Sequence, residues 1–233
     1  MKKKNFLPVK PKDAATVIII KKEKNNSLIL MGRRPLTARF MPGVHVFPGG
    51  VHEKEDLKFC RIFNLKENKN VNKKKLKTRS IRHTNSILLT AIRETAEETG
   101  LYLAKQTKFN TIKNISCGTW KEFLKKSYVP KVEKLIFFGR AITPSSLKIR
   151  FHARFFIAFF EDFLGELKTN GELENLEWLS LQDAKKKNIA DVTEFMINEI
   201  VKIDYNYSSL LKKKSFPMFT WKNKKRWIKW DKT

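Results

Sequence analysis

Arg93-Glu94-Thr95-Ala96-Glu97-Glu98-Thr99-Gly100-Leu101, preceded by the loop Phe47-Pro48-Gly49-Gly50, decides how this chain is read. The protein has a formal net charge of +26, yet three of its scarce carboxylates stand within five residues. On a helix, Glu94, Glu97 and Glu98 fall within an arc of about 100°. Like charges at i,i+3 and i,i+4 destabilise a helix unless something neutralises them. A divalent cation does so, and hard carboxylate oxygens suit Mg²⁺ or Mn²⁺. The alternative is an ordinary solvated acidic face. Leu88, Ala91, Ile92, Thr95 and Thr99 lie opposite the glutamates, which gives the helix a core side and a carboxylate side. Asn85 or Ser86 can cap its start and Gly100 can end it, so a helix is expected over 85–99. The acids then crowd into the last turn, where the helix dipole disfavours negative charge.

These residues resemble the signature of the Nudix hydrolases: Gly, five residues, Glu, seven residues, then Arg-Glu-apolar-x-Glu-Glu-x-Gly-apolar. Residues 93–101 match its second half at every charged and glycine position, with Thr95 at the usual apolar place. The first half reads Gly50, five residues, then Asp56, one methylene shorter than the usual Glu. Residues 57–92 separate Asp56 from Arg93, where the family has a seven-residue spacer. Upstream, Arg34, Arg39 and Gly43 keep the spacing to Phe47 found in the motif of coenzyme A diphosphatases. Phe40-Met41-Pro42-Gly43 and the long insertion look like the peroxisomal-type enzymes and their bacterial relatives. The resemblance runs from about residue 14 to 203.

Composition points to a soluble enzyme with one sizeable core: 233 residues, 41% hydrophobic. Two cysteines, Cys60 and Cys117, supply neither a disulfide framework nor a metal cluster. The longest apolar runs are too short to span a bilayer. Met1-Lys2-Lys3-Lys4 starts like a signal peptide, but Pro8, Lys10, Lys12 and Asp13 interrupt any apolar stretch, so a cytoplasmic protein without membrane partners is expected. The basic excess is peripheral. Residues 57–83 carry ten Lys/Arg against one Glu, 212–233 nine against one Asp, and 1–13 five against one Asp. Such segments either steer a polyanion or reflect Lys/Asn-rich drift on solvated surface.

The expected organisation is a basic N-terminal segment (1–13), a catalytic domain (14–204) with a basic insertion (57–83), and a basic aromatic tail (205–233). Apolar runs predict strands over 15–20, 28–31, 44–47, 101–104, 134–143, 151–160 and 176–179. Short helices are expected over 120–126, 181–187 and 192–204, and Phe59, Ile62, Phe63 and Leu65 can form one more. Mixed strands between helices fit the α/β class and the Nudix α/β/α sandwich with a mixed central sheet that the resemblance implies. The tail interleaves aromatics with Lys and Arg, which can stack nucleic-acid bases. It can equally pack Trp227 and Trp230 onto the domain or a partner subunit in a homodimer, and packing is preferred.

The resemblance implies water attack on a diphosphate that links a nucleoside to another group, on a small coenzyme-A-like substrate. It assigns Glu94, Glu97, Glu98 and the Gly49 carbonyl as Mg²⁺ or Mn²⁺ ligands, with Gly50 completing the loop. Arg93 is expected to orient carboxylates, and Asp56 to support them from behind. The general base is left open between a signature glutamate and an acid of the 172–177 loop, Glu174 first. Arg34 and Arg39 are the expected phosphate partners, because guanidinium forks grip phosphate oxygens in two places. Arg154 is a further candidate for the cleft. His45, His52, His83 and His152 are read as structural, and the insertion as a mobile flap or lid. Two other readings stay open: a broader pyrophosphatase for ADP-ribose, NADH or capped RNA, and a nucleic-acid-binding protein with a Nudix body.

Overall fold

The structure, a computed structural model, describes residues 9–24, 26–68, 70–107, 118–203 and 207–232. Residues 1–8 of the basic N-terminal segment, Lys69 of the insertion, Cys117 and the expected domain boundary at 204–205 lie outside the described residues. The elements follow in chain order as β1 (Lys12–Lys22), β2 (Ser27–Arg33), β3 (His45–Val46), β4 (Gly49–Val51), α1 (Lys54–Ile62), α2 (Lys73–Leu76), α3 (Ile81–Thr99), β5 (Ala104–Gln106) and α4 (Gly118–Lys125). Then come β6 (Tyr128–Pro130), β7 (Ile136–Ile142), β8 (Phe151–Phe159), β9 (Glu174–Ser180), α5 (Leu181–Lys186), α6 (Asp191–Val201), α7 (Tyr207–Leu211), β10 (Ser215–Lys222) and β11 (Lys225–Lys232).

The apolar run of β1 has no polar alternation because both of its faces are covered. Ala15, Val17 and Ile19 join a core with Leu88, Ala91 and Ile92 of α3. Ile18 and Ile20 join a second core with Met196, Ile197 and Ile200 of α6. Between these layers runs one mixed sheet in the order β11-β10-β7-β8-β1-β2-β3, with β4 also on β1 and β9 also on β2. β8 is central, parallel to β1 and antiparallel to β7. This is the expected α/β/α sandwich. Among the described residues no helix is long and apolar enough to cross a membrane.

Three expectations change. The signature helix begins at Ile81 rather than Asn85, because Ser80 caps it by accepting the His83 N–H. The insertion is no mobile flap: Phe59, Cys60, Val71 and Leu76 are buried in the α3-side core, and Phe59 stacks on Trp120 at 4.9 Å. Its apolar positions bury themselves within the same molecule instead of covering a ligand. The tail packs, as preferred, but as strands of the sheet and not through Trp227 and Trp230, which are partly exposed and exposed, respectively. β10 runs parallel to β7 with Phe216, Met218 and Phe219 buried, and β11 returns along it as the outermost strand. Asn223 and Lys224, with φ of 49° and 60°, close the two-residue turn of that hairpin.

Candidate active site

α3 carries the signature residues beside β4, and the two glycines where β4 begins decide how closely they approach. A Cβ added at Gly50 would stand 2.5 and 2.6 Å from the carboxylate oxygens of Glu94, so only glycine leaves that carboxylate its place. Gly49, at φ +153°, donates its N–H to Glu98 Oε2 at 2.7 Å. Glu94 and Glu98 thereby reach a cavity of about 1370 Å³ on the α6 side of the sheet. Burial, opposed by the Arg93 guanidinium and reinforced by repulsion from Glu97, pushes the Glu94 carboxyl up to about 7. Burial, opposed by the Gly49 N–H and reinforced by Glu94 and Glu172, pushes Glu98 up to about 8. Two buried carboxylates that resist ionisation are a site short of positive charge.

Arg93 holds this edge from behind. Its Nε and Nη2 donate to Asp56 at 2.9 and 3.2 Å, and Nη2 also donates to the Val51 carbonyl at 2.9 Å. Nη1 lies 3.0 Å from both Glu94 Oε1 and Glu97 Oε2. Asp56 is fully buried and accepts further hydrogen bonds from Thr90 Oγ1, Trp120 Nε1 and its own cap residue, the Glu53 N–H. The supporting role expected for Asp56 therefore holds despite the long spacer. Trp120 and Thr119 of α4 belong to this network and were not anticipated, since nothing in their local sequence ties them to the signature.

The other candidates divide. Glu97 sits a further 100° round the helix from Glu98. It bonds Arg93 and Thr119 Oγ1, the latter at 2.5 Å, and it does not line the cavity. Arg34 does line it, with its Nε donating to the Phe40 carbonyl at 2.8 Å, whereas Arg39 is exposed on the neighbouring loop and does not. Arg154 is buried on the other face of β8, bonded to the Leu76 and His152 carbonyls and paired with Asp13, so it is a structural residue and not a cleft residue. Glu174 points away and pairs with Arg33 at 2.7 Å, while Glu172, two residues earlier in the same loop, lines the cavity. The histidines are structural, as expected: His52 bonds Ser86, His83 bonds Asp13, and His152 lies against Arg140.

The donor set is carboxylate oxygen. Among the described residues no cluster of three His, Cys, Asp or Glu forms a ready-made metal cage. Mg²⁺ does not need one. It keeps several waters and uses one or two protein carboxylates together with substrate phosphates. Glu94 and Glu98, both on the cavity wall, fit that requirement.

No family model matches the chain. A curated protein of Caenorhabditis elegans, named "Putative nudix hydrolase 7", is 26% identical over 176 residues, which is 72% of this chain and 51% of the relative. The chain thus spans about half the length of the curated relative it matches. Among solved structures, a Nudix hydrolase of Alicyclobacillus acidocaldarius superposes with a TM-score of 0.64 at 22% identity, covering 88% of this chain and 96% of the other. A MutT protein of Bacillus halodurans gives 0.50 at 15% identity, over 94% and 97%. The two solved structures share the sandwich, and in this chain the signature helix stands in it with Arg93 tied to Asp56 and Glu98 tied to the glycine loop. The chain is thus similar to a Nudix hydrolase in sequence over 72% of its length and shares the fold of solved Nudix structures.

Proposed function

We propose that this protein hydrolyses a nucleoside diphosphate linked to another group, and that its substrate is coenzyme A or an acyl-coenzyme A. The products would be 3′,5′-ADP and (acyl-)4′-phosphopantetheine. The observation that carries this reading is the Glu94–Glu98 pair held by the Gly49–Gly50 loop at one end of a long, largely apolar cavity. Glu94 and Glu98 would hold Mg²⁺ or Mn²⁺. When bound, such an ion screens diphosphate charge and lowers the pKa of an attacking water. Arg93 keeps the Glu94 carboxylate oriented through its 3.0 Å contact and is itself fixed by Asp56. Glu172 is the loop acid on the cavity wall and the better candidate for taking the proton of the water. Arg34 offers a guanidinium to phosphate oxygens at the rim.

Support for coenzyme A comes from the Arg34–Gly43–Phe47 spacing and from an apolar wall far longer than a bare diphosphate needs. A small nucleotide is favoured over nucleic acid because the aromatic tail contributes Phe216 and Phe219 to packing inside the sheet sandwich. The test is product analysis with Mg²⁺ or Mn²⁺ across coenzyme A, ADP-ribose, NADH and capped RNA. Release of 3′,5′-ADP from coenzyme A at the highest kcat/KM is expected, and a preference for ADP-ribose rejects the assignment. RNA affinity that falls steeply with salt, without turnover, would favour a binding protein.

A further inference from the structure

The register of the sheet draws a line across the floor of the cavity. Val51 of β4 faces Ala14 of β1, Ala14 faces Ala153 of β8, Ala153 faces Ala141 of β7, and Ala141 faces Phe219 of β10. Side chains two residues apart on a strand share a face. The row on one side holds Thr16 and Phe155, which are also paired, and the row on the other holds Phe151 and Trp221. Three successive methyl groups between rows of aromatic rings make a furrow. It crosses four inter-strand steps of about 4.8 Å each, roughly 19 Å from β4 to β10. One end lies beside Gly50 and Glu94. The other reaches Phe219 of β10, and farther along that strand and its turn Trp221, Lys222, Asn223 and Lys224 line the cavity together with Ser145 and Ser146. The turn is held across the gap by Arg226, whose guanidinium pairs with Asp191 at the start of α6 and with Glu194 at 2.8 Å.

We propose that this alanine furrow is the track for the long arm of the substrate, with the C-terminal hairpin as its far stop. The inference rests on the diphosphatase reading of the carboxylate end and adds what the remainder of the cavity takes. The ligand is an acyclic, extended chain carrying a few amide groups, anchored by a phosphate at the carboxylate end. A floor of methyl groups leaves room for an extended chain to lie across the strands. Ser145, Ser146 and Asn223 also line the cavity and offer hydroxyl and amide partners to the amides of such a chain. A pantetheine arm has these properties, and a sugar ring has not.

The experiment is calorimetric binding of 4′-phosphopantetheine and of 5′-AMP, each with Mg²⁺ present, to the full chain and to Ala141→Leu, Ala153→Leu and Trp221→Ala. Thermal melts confirm that each variant folds, and either leucine variant alone decides the question. The expected result is that filling the furrow weakens 4′-phosphopantetheine about tenfold or more and leaves 5′-AMP unchanged, with Trp221→Ala showing the same pattern to a smaller degree. Equal loss of both probes, no loss of either, or no binding of 4′-phosphopantetheine by the unmodified chain overturns the furrow. Turnover of coenzyme A is measured alongside. If the unmodified chain binds 4′-phosphopantetheine through the furrow but fails to hydrolyse coenzyme A, the furrow stands and only the diphosphatase reading falls.

Discussion

Asp56 and Arg93 are 37 residues apart in sequence and are joined by a buried two-point ion pair, with hydrogen bonds of 2.9 and 3.2 Å. Each side chain is at most 2% exposed. The intervening segment, with α1 and α2, leaves this point and returns to it. Because the pair is out of water, it holds only while both charges are present. Asp56→Ala is expected to cost about 3–5 kcal/mol in urea unfolding, since it strands a buried guanidinium. Trp120→Phe keeps the ring against Phe59 but removes one donor to Asp56, and its expected cost is about 1–2 kcal/mol. A loss below 1 kcal/mol for Asp56→Ala would mean that Arg93 finds another partner.

The acids of the cavity should separate by kinetics. Glu98→Gln is expected to lower kcat by roughly 100-fold or more, the upper range for disturbing even a metal ligand's supporting partner. Glu172→Gln should lower kcat and change the pH profile, because Glu172 lines the cavity. Glu174→Gln should leave kcat unchanged, since that carboxylate faces Arg33. An inactive Glu174→Gln beside an unaffected Glu172→Gln would reverse this assignment of the loop.

Gly50→Ala tests the approach of loop to helix. Its Cβ has no room beside the Glu94 carboxylate, so either the carboxylate or the loop moves. The expectation is a fall in kcat together with a stability loss of about 1–3 kcal/mol, as for other overpacked sites. Unchanged activity would mean that Glu94 is not needed where it stands.

His152 and Asp13 should make the fold sensitive to acid. Burial, helped by Arg154 and Arg140, lowers His152 from 6.5 to about 3. The folded protein then refuses a proton that the unfolded chain takes up, so stability present above about pH 6.5 is lost as pH falls towards 3. Burial alone would raise Asp13, but the His83 hydrogen bond and the Arg154 guanidinium outweigh it and hold Asp13 well below the usual carboxylate range. Its contribution is complete above its ordinary value near 3.8 and is lost as pH falls below that. Glu94 and Glu98, raised to about 7 and 8, act in the opposite direction between about pH 8 and 4.5. The check is therefore a difference: lowering the pH from 7 to 4 should cost the unmodified chain more stability in urea unfolding than it costs His152→Gln. The same pH dependence in both proteins would contradict a neutral His152 in the fold.

What the sequence made legible follows from how local each signal is. Arg93, Glu94, Glu98 and the Gly49–Gly50 loop lie in two short stretches whose spacing fixes their geometry. The strands 15–20 and 151–160 were readable because full burial leaves an unbroken apolar run. The choice between Glu172 and Glu174 depends on how the loop enters β9, which composition does not carry. Arg154 looked like a cleft residue because a strand shows its alternation but not which face is which. Glu97 shares an arc with its neighbours, yet α4, remote in sequence, draws it aside. The hairpin was hidden because Phe216 to Trp221 alternates poorly, and its pairing with β7 is a long-range event. The alanine furrow is visible only once five strands are aligned.

The two ends of the cavity are secured in unlike ways. Around Asp56 and Arg93 the fastening is dry, with at most 2% of either side chain exposed, while the Arg226 clasp to Asp191 and Glu194 is 41–46% open to solvent. Exposed pairs of that kind hold by about 1 kcal/mol or less and slacken in salt. The protein therefore has one fixed jaw at the carboxylate end and one yielding jaw at the hairpin end.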